Sequence, residues 1–367
     1  MEAGARAVVA AVEDGAPLPA TLHAWRMVEA GKPLRLVAEP LPAPGPGEVL
    51  LRVRACGLCH TDVGFLYGGV RPNAPLPLTL GHEIVGDAVA AGPGAQDLLG
   101  RTFIVPSVMP CGECDLCRQG RGNVCRRQKM PGNDLDGGFA SHVVIPGRFL
   151  CPVPEGTADV EDLAIVADAV STSYQAVVRA GTGPGSMVVV VGAGGVGTFG
   201  VQVAKALGAH VAAIDVDPGR LAALGRFADL TLDAKELDGK AIRNAVGGYE
   251  REHALPPYGR IVIECSGTAA GQETAYSLLH HAGTLAVVGF TLEKISLRLS
   301  NLMAFDATAF GNWGCLPEHF PAILRLIADG KLELKPFLER HPMSRLNDLL
   351  RADGHARRPV LIPDFEG

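Results

Sequence analysis

Four cysteines lie within fifteen residues of this chain, in the sequence CGECDLCRQGRGNVC. They are Cys111, Cys114, Cys117 and Cys125. Three thiolates at CxxCxxC spacing can converge on one tetrahedral ion, and a fourth can arrive from the end of a short loop, so that the protein fills every coordination position. A closed site of this kind is structural. The sequence therefore predicts a zinc lobe over about residues 107–130.

The same cysteines could instead form two disulfides or a redox motif. The N-terminal sequence MEAGARAVVA lacks the basic start, apolar run and cleavage site of a secretory signal, so we expect a reducing cytoplasm, where cysteines remain thiols. The total of nine cysteines is also odd, which does not suit a complete set of disulfides. Both observations favour metal binding and a cytoplasmic location.

Length and composition limit the class of protein. A chain of 367 residues is long enough for about two domains. It has 47% hydrophobic and 20% charged residues and lacks an apolar stretch of roughly 20 residues, so we expect a globular protein that does not span a membrane. The net charge of −6 argues against a nucleic-acid partner, although the segment from Arg118 to Lys129 is locally basic.

The hydrophobic pattern changes along the chain. From Pro33 to about Pro154, short apolar runs alternate with Gly/Pro turns, which is typical of a β-rich, barrel-like domain. After about Val160, apolar strands alternate with amphipathic helices, which predicts βαβ units on a parallel sheet. Near Asn312 this pattern ends, and a helix and a strand-like RRPVLIP follow. Residues 238–257 form an insertion whose structure the pattern does not predict.

A glycine-rich turn, VVVVGAGGVGTFG, follows a run of valines and opens a predicted helix. Its glycines permit a tight turn, close approach of a pyrophosphate and tight helix packing, and the helix N-terminus faces the phosphates. These glycines are Gly192, Gly194, Gly195 and Gly197. The context on both sides of the turn predicts a Rossmann doubly wound sheet.

Acidic residues after the next strand bear on the choice of dinucleotide. Asp215 lies 18 residues after Gly197, near the offset at which a carboxylate accepts hydrogen bonds from the adenosine ribose. This carboxylate would repel a 2′-phosphate, so NAD is predicted rather than NADP. Asp217 adds to the repulsion, and Arg220 could cover the ribose edge. An ordinary loop aspartate is the alternative for Asp215.

Further polar residues lie upstream, in ACGLCHTD and LTLGHEIVG. A buried cysteine is often only a small hydrophobe, and a lone histidine is more often structural than a ligand. These segments, the cysteine lobe and the glycine-rich turn follow one another along the chain in the order found in the zinc-dependent medium-chain alcohol dehydrogenase family. The chain resembles that family from about Trp25 to Pro363. The motifs that carry the resemblance are GHE, CxxCxxC with a trailing cysteine, and GxGGxG.

The resemblance implies an α/β fold with a GroES-like β-rich catalytic domain at residues 1–168, a Rossmann NAD-binding domain at 169–311 and a return to the catalytic domain at 312–367. It implies NAD, one catalytic and one structural zinc ion, and a site between the domains. It also implies a homo-oligomer, with a tetramer favoured.

Transferred residue by residue, the resemblance makes Cys59 and His82 ligands of the catalytic zinc. Asp168 falls where many members have a cysteine as the third ligand; a thiolate, a carboxylate and a neutral imidazole leave the zinc site formally neutral, as two thiolates and an imidazole would. Glu83 resembles a nearby carboxylate that can approach the metal, and it is the alternative third ligand. Asp62 resembles the residue that orients the ligand imidazole.

The implied reaction is zinc-assisted oxidation of an alcohol with hydride transfer to NAD. Thr61 matches the hydroxyl residue that receives the alcohol proton, unless it only satisfies local backbone. Some members continue this relay with a histidine where this chain has Gly64, so we expect the proton to leave through water. His60 and Arg358 resemble basic residues that contact the cofactor pyrophosphate, although either could be an ordinary surface cation.

Three segments, GVRPNAPLPLTLGHEI, MPGNDLDGGFASHVVIP and ADAVSTSYQA, are similar to those of 6-hydroxycyclohex-1-ene-1-carbonyl-CoA dehydrogenases within the family. The similarity implies oxidation of a ring secondary alcohol on a CoA thioester to the enone, in anaerobic benzoyl-CoA degradation. We hypothesise that the enzyme also hydrates the conjugated double bond. Cations that could contact CoA are Arg71, Arg126, Arg127 and Lys129, but surface arginines are common.

Two alternatives to this function remain open at the level of sequence. One is an NAD-linked dehydrogenase of simple secondary, cyclic or benzylic alcohols. The other is a non-catalytic nucleotide- and zinc-binding protein, against which Cys59, His82 and Asp168 together argue.

Overall fold

The computed structural model describes residues 10–11, 18–352 and 354–365. Of the ten N-terminal residues on which the prediction about a secretory signal is based, only Ala10 lies in the described part of the chain. The chain divides into two compact units: the first comprises residues 1–168, 316–320 and 334–367, and the second comprises 169–315 and 321–333. Residues 312–315 and 321–333, which the sequence places in the returning segment, thus belong to the second unit.

Seventeen strands are described, with these bounds in chain order: β1 (Ala10–Ala11), β2 (Thr21–Met27), β3 (Arg35–Pro40), β4 (Glu48–Gly57), β5 (Leu78–Thr79), β6 (Glu83–Ala91), β7 (Thr102–Val105), β8 (His142–Pro146), β9 (Cys151–Pro152), β10 (Met187–Val191), β11 (His210–Asp215), β12 (Leu230–Asp233), β13 (Ile261–Glu264), β14 (Thr284–Val287), β15 (Thr308–Gly311), β16 (Leu338–Pro342) and β17 (Arg358–Ile362).

Ten α-helices are described in the same ranges: α1 (His60–Leu66), α2 (Asp115–Arg118), α3 (Ala169–Arg179), α4 (Gly197–Ala206), α5 (Pro218–Leu224), α6 (Gly239–Glu252), α7 (Ala269–Ser277), α8 (Ser300–Phe305), α9 (Phe320–Ala328) and α10 (Leu346–Arg351). Short 3-10 turns, among them Gly122–Val124, Val160–Ala167 and Pro317–His319, join several of them. None of these helices combines the length and hydropathy needed to cross a bilayer.

The first unit is built on a β-sheet in the order β16-β17-β4-β6-β7-β9, with β1 added to β6 and β8 to β4. Strand β4 lies at its centre and pairs antiparallel with β6, from Val49 opposite Ala91 to Gly57 opposite Glu83. Strand β17 pairs antiparallel with β4, with Leu361 opposite Cys56. This pairing brings the C-terminal strand back to the strand that leads to Cys59.

The second unit contains a six-stranded sheet in the order β12-β11-β10-β13-β14-β15, with every neighbouring pair parallel. All five residues of the central strand β10 are buried, as expected for a parallel strand covered on both faces. The reversal of strand order beside β10 is that of a Rossmann sheet, whose ligands bind at the carboxyl ends of the strands. The predicted βαβ pattern is confirmed.

Residues 238–257, which the pattern left without a prediction, contain helix α6. Asp238 caps its N-terminus, with Oδ1 accepting a hydrogen bond from Ala241 N at 2.7 Å. Ile242, Val246 and Glu250 are buried at a spacing of four residues, so one face of the helix packs against the sheet. Because the charged Glu250 lies on this buried face, the sequence of the segment does not show a clear amphipathic pattern.

Candidate metal centres and dinucleotide site

The four cysteines of the lobe surround one point in the first unit. Cys114 precedes α2, whose turn brings Cys117 back toward it, and Cys125 follows the 3-10 turn Gly122–Val124. The Sγ–Sγ distances are 3.5 Å for Cys114–Cys117, 3.7 Å for Cys114–Cys125 and 3.9 Å for Cys111–Cys117. A disulfide requires about 2.0 Å, whereas Zn–S bonds of about 2.3 Å in a tetrahedron place the sulfurs about 3.8 Å apart. The lobe therefore fits zinc and not disulfides.

The protonation of these thiols also fits a cation. A hydrogen bond from the backbone of Glu113 lowers the pKa of Cys111 to about 6, and one from the backbone of Cys117 lowers the pKa of Cys114. Burial and the neighbouring sulfurs raise the pKa of Cys117 to about 11. Because four adjacent thiolates repel one another, all four ionise together only around a bound cation.

A second group of ligand atoms converges in the first unit. One atom from each of Cys59, His82, Glu83 and Asp168 lies within 4.8 Å of the others. Cys59 precedes α1, and His82 precedes Glu83, the first residue of β6. Asp168 follows the 3-10 helix Val160–Ala167. Asp168 Oδ2 is 3.5 Å from His82 Nε2 and 3.7 Å from Cys59 Sγ. The structure thus brings the predicted ligands together from separate segments.

The state of His82 shows that this group fits a metal ion. The side chain is 1% exposed, and among the described residues neither ring nitrogen has a hydrogen-bond partner. A buried polar group without a partner is costly, and metal ligation would satisfy it. Although burial lowers the pKa of His82, the charge of Asp62 and the proximity of Asp168 raise it well above its usual value. The cluster therefore attracts positive charge, and thiolate, imidazole and carboxylate are zinc donors.

Asp62 joins the two segments that carry Cys59 and His82. Its Oδ2 accepts a hydrogen bond from Cys59 N at 3.0 Å, and its Oδ1 accepts one from Gly81 N at 3.0 Å. The same Oδ1 is 3.6 Å from His82 Nδ1, which is too long for a hydrogen bond. Gly81 has φ +94°, and a Cβ there would lie 2.8 Å from Cys56 Sγ. This explains the glycine of the GHE motif, while the predicted orientation of the imidazole by Asp62 stays a prediction.

Glu83 is held by Arg358 of β17. Arg358 Nε donates to Glu83 Oε2 at 2.9 Å, Nη2 donates to Oε1 at 2.5 Å, and both side chains are buried. Burial raises the pKa of Glu83 more than the charge of Arg358 lowers it. Because both carboxylate oxygens are engaged, the geometry favours Asp168 over Glu83 as the third ligand. The pairing was missed from the sequence, and contact of Arg358 with pyrophosphate stays a prediction.

The remaining residues predicted for this region lie on α1. Thr61 Oγ1 is 3.6 Å from Cys59 Sγ, so its hydroxyl is beside the ligand cluster. His60 is the first residue of α1 and is exposed. A Cβ at Gly64 would meet only Val70 Cγ2, at 3.7 Å. The roles of Thr61 in proton transfer and of His60 at the pyrophosphate stay predictions.

The glycine-rich turn connects β10 to α4 in the second unit. Gly192 has φ +91°, and a Cβ there would lie 2.5 Å from Ser266 Cα; a Cβ at Gly197 would lie 1.7 Å from the carbonyl oxygen of Gly192. At Gly194, by contrast, the nearest atom is Arg220 Nη1, 3.8 Å away. The outer glycines therefore allow close packing, and the middle of the turn, Gly194 and Gly195, leaves the backbone open for phosphates at the N-terminus of α4.

Asp215, the last residue of β11, is bound to that turn. Its Oδ2 accepts a hydrogen bond from Ala193 N at 2.6 Å, and its Oδ1 accepts one from Asp217 N at 2.8 Å. Asp217 caps α5, and its carboxylate is 3.7 Å from Arg220 Nε. The acidic group thus stands beside the phosphate turn at the carboxyl end of a strand, where a Rossmann fold binds the ribose.

Two parts of the chain match known sequence families. Residues 45–155 match the alcohol dehydrogenase GroES-like domain, and residues 195–329 match the zinc-binding dehydrogenase family. An alcohol dehydrogenase of Geobacillus stearothermophilus is 31% identical over 322 residues, which cover 87% of this chain and 92% of that protein.

Solved structures share the fold. A structure described as a zinc-binding dehydrogenase from Sinorhizobium meliloti 1021 bound to NADP has a TM-score of 0.84 and 26% identity, covering 94% of this chain and 100% of that chain. Acetophenone reductase from Geotrichum candidum in complex with NAD has a TM-score of 0.80 and 27% identity, covering 95% and 98%. Together with the two ligand clusters, these matches confirm the predicted fold class and the predicted zinc and nicotinamide cofactors.

Proposed function

The chain belongs to the zinc-dependent medium-chain alcohol dehydrogenase family, and from this premise we propose that it oxidises a ring secondary alcohol on an acyl-CoA thioester. It is an NAD(P)-dependent alcohol dehydrogenase acting on secondary alcohols. The proposed substrate is 6-hydroxycyclohex-1-ene-1-carbonyl-CoA, and the product is the 6-oxo thioester. The observation that carries the chemistry is the convergence of Cys59, His82 and Asp168, where the described residues offer the buried imidazole no hydrogen-bond partner.

Cys59, His82 and Asp168 hold the catalytic zinc in this proposal, and the four cysteines of the lobe hold the structural zinc. When bound, zinc would supply Lewis acidity, which lowers the pKa of a coordinated water to about 7 and would lower that of an alcohol in the same way. Arg358 neutralises Glu83, so the charge left for the ion to balance is that of Cys59 and Asp168. Burial of Cys59 and His82 limits the access of water to those two ligands, whereas the Asp168 side chain is only partly buried.

Thr61 accepts the proton of the substrate hydroxyl in this proposal. Its Oγ1 lies 3.6 Å from Cys59 Sγ, which is within reach of a group bound at the cluster. Gly64 offers no side chain to continue a relay, so water carries the proton onward. His60, exposed at the start of α1, contacts the cofactor pyrophosphate.

The proposed substrate class is supported by two segments whose sequences resemble those of the CoA-thioester dehydrogenases. Within MPGNDLDGGF, Gly138 N donates to Gly81 O at 2.8 Å, next to His82. Asn133 Oδ1 of the same segment accepts a hydrogen bond from Asn73 N of GVRPNAPL at 3.0 Å. The two segments therefore form one wall of the first unit beside the ligand histidine.

We assign NAD as the preferred cofactor. Asp215 is fixed by two backbone amides, so its carboxylate cannot turn away from a ribose bound at the turn, and it repels a 2′-phosphate. The basic Arg220 lies close to Gly194, and its Nε is 3.7 Å from the carboxylate of Asp217.

We also propose that the protein is a homotetramer and that it is located in the cytoplasm. Strand β15 stands at the edge of the six-stranded sheet, and Phe290, Leu292 and Met303, on the segments between β14 and β15, are exposed. Unpaired strand edges and exposed apolar side chains are typical of subunit interfaces. The four-cysteine lobe requires thiols, which a reducing compartment preserves.

The substrate is tested by assaying the purified protein with the hydroxy thioester, free cyclohex-2-en-1-ol and benzyl alcohol, with NAD and with NADP. We expect kcat/KM for the thioester to exceed that for the free alcohols by on the order of a hundredfold, the worth of two charge-assisted hydrogen bonds, and NAD to be preferred. Equal efficiency on free alcohols would favour the simple-alcohol enzyme. Failure of the zinc-loaded protein to oxidise any alcohol would favour the non-catalytic alternative.

The proposed hydration is tested in the same preparation with the enone thioester. Addition of water across the conjugated double bond increases the product mass by one water, and no increase above background would contradict this second activity.

A further inference from the structure

A cavity of about 230 Å³ lies beside the four-cysteine lobe, formed by residues of the first unit and by none of those assigned to the catalytic metal. Its lining comes from the lobe, from the turn before β9 and from the segment after β15: Pro110, Gly112, Cys117, Gly120, Gly122, Phe149, Leu316, Pro317 and Glu318. One aromatic ring, one leucine and two prolines provide apolar walls. The cavity is partly open to solvent, and its apolar walls can contact a flat ring.

Two exposed arginines adjoin residues that line this cavity. Arg121 lies between the lining residues Gly120 and Gly122, and the guanidinium of Arg148 stacks over the ring of Phe149 at 4.5 Å. Both arginines are exposed, and neither forms an ion pair with any described residue. With the carboxylate of Glu318, which lines the cavity, the two arginines leave an excess of one positive charge on a chain whose net charge is −6, and this excess favours an anion.

The cavity is close to the ligand cluster along the chain. Ser107 N donates to Ala167 O at 3.2 Å, and Ala167 precedes Asp168. Pro110, which lines the cavity, is three residues beyond Ser107, a distance of at most about 11 Å even for extended chain. The 3.2 Å hydrogen bond and the step of about 4 Å between neighbouring residues add to this, so Asp168 and Pro110 lie at most about 20 Å apart, a span comparable with that of an extended phosphopantetheine arm.

We propose that this cavity binds the 3′-phosphoadenosine diphosphate end of the acyl-CoA substrate; the inference rests on the proposed function. The adenine packs between Phe149 and Leu316, and its amino group donates to the exposed carboxylate of Glu318. Arg121 and Arg148 bind the phosphates, because charge-assisted contacts to phosphate are the strongest that the rim offers. Arg127, one of the cations named from the sequence, is paired with Glu113 at 2.9 Å instead.

The binding test uses the full-length, zinc-loaded protein saturated with NADH, so that the dinucleotide site is filled. Calorimetric titration with 3′-phosphoadenosine 5′-diphosphate is expected to show binding to the wild type. Arg121→Glu and Arg148→Glu should each weaken it at least about tenfold, the worth of one charge-assisted contact. Leu316→Trp should abolish it by filling the cavity. Arg251→Glu, the same charge reversal at an exposed arginine of α6, should leave it unchanged.

A kinetic test uses the same variants. We expect Arg121→Glu to raise the KM of the hydroxy thioester about tenfold while kcat/KM for free cyclohex-2-en-1-ol stays at the wild-type value, which excludes a general folding defect. Absence of probe binding to the wild type, or binding that Arg121→Glu and Leu316→Trp leave unchanged, would overturn the site. If the probe binds through Arg121 but the thioester is not oxidised, the site stands and the proposed substrate fails.

Discussion

Single residues determine whether the charged side chains of the candidate catalytic site can pack, and Gly57, which leaves space for the Glu83 carboxylate, is the clearest case. A Cβ at Gly57 would lie 2.0 Å from Glu83 Oε2 and 3.0 Å from Glu83 Cβ. Glu83 cannot move aside easily, because Arg358 binds both of its oxygens. The glycine in ACGLCHTD is therefore required by the carboxylate that pairs opposite it.

We expect Gly57→Ala to lower the free energy of unfolding by about 1–3 kcal/mol, the usual cost of overpacking. Urea unfolding provides the measurement. Gly247→Ala is the matched control, because Gly247 lies inside α6 with only the end of the Arg251 side chain nearby, at 3.5 Å. This control should gain up to about 1 kcal/mol from helix propensity. Equal stabilities for Gly57→Ala and the wild type would contradict the packing described for Glu83.

At the residue scale, sequence motifs predicted the metal ligands that lie in short local patterns. They did not predict contacts between residues that are far apart in sequence and are brought together by strand pairing. Cys59 and His82 stand in recognisable motifs, and the four cysteines lie in one short loop. Arg358 meets Glu83 across 275 residues only because β17 and β6 both pair with β4. The cavity beside the lobe likewise forms only where the lobe and residues 316–318 come together.

At the scale of elements, a buried ion pair joins α6 to Arg260, the residue before the strand β13. Arg260 donates to Glu250 through Nε at 2.8 Å and through Nη2 at 2.6 Å, and both residues are buried. Although burial raises the pKa of Glu250, His280 and Arg260 outweigh it and lower the pKa to about 2. Sequence patterning could not predict this contact. A glutamate on the buried face of α6 is stable only when it is paired, and its partner Arg260 lies outside the helix.

This pair predicts a pH dependence of stability. The pKa of Glu250 is about 2 in the folded chain and 4.5 ordinarily, so its stabilisation is complete above about pH 5 and is lost as the pH falls from 4.5 toward 2. The full effect is about 3 kcal/mol. We expect Glu250→Gln to destabilise the protein at neutral pH and to flatten the pH dependence below pH 5, measured by urea unfolding.

The control for this prediction is Glu252→Gln, which removes an exposed carboxylate from the same helix and should preserve the wild-type slope. A Glu250→Gln variant with the wild-type slope below pH 5 would show that other carboxyl groups cause the acid sensitivity.

At the scale of the whole molecule, the two units carry different parts of the chemistry. Every residue assigned to either zinc belongs to the first unit, and every residue assigned to the glycine-rich turn, together with Asp215, belongs to the second. Hydride transfer requires the substrate carbon and the nicotinamide to meet, so the activity is a property of the whole chain. The repeating strand and helix pattern predicted both architectures, but the path of residues 312–367 depends on pairings that no local pattern contains.

The central claim is that Asp168 completes the catalytic zinc site with Cys59 and His82. Elemental analysis of purified protein, with NADH formation from a secondary alcohol measured on the same sample, tests it most directly. The wild type should carry about two zinc ions per chain, and Asp168→Ala should retain about one, in the four-cysteine lobe, and lose its activity. An Asp168→Ala variant that keeps both ions and wild-type turnover would contradict the account.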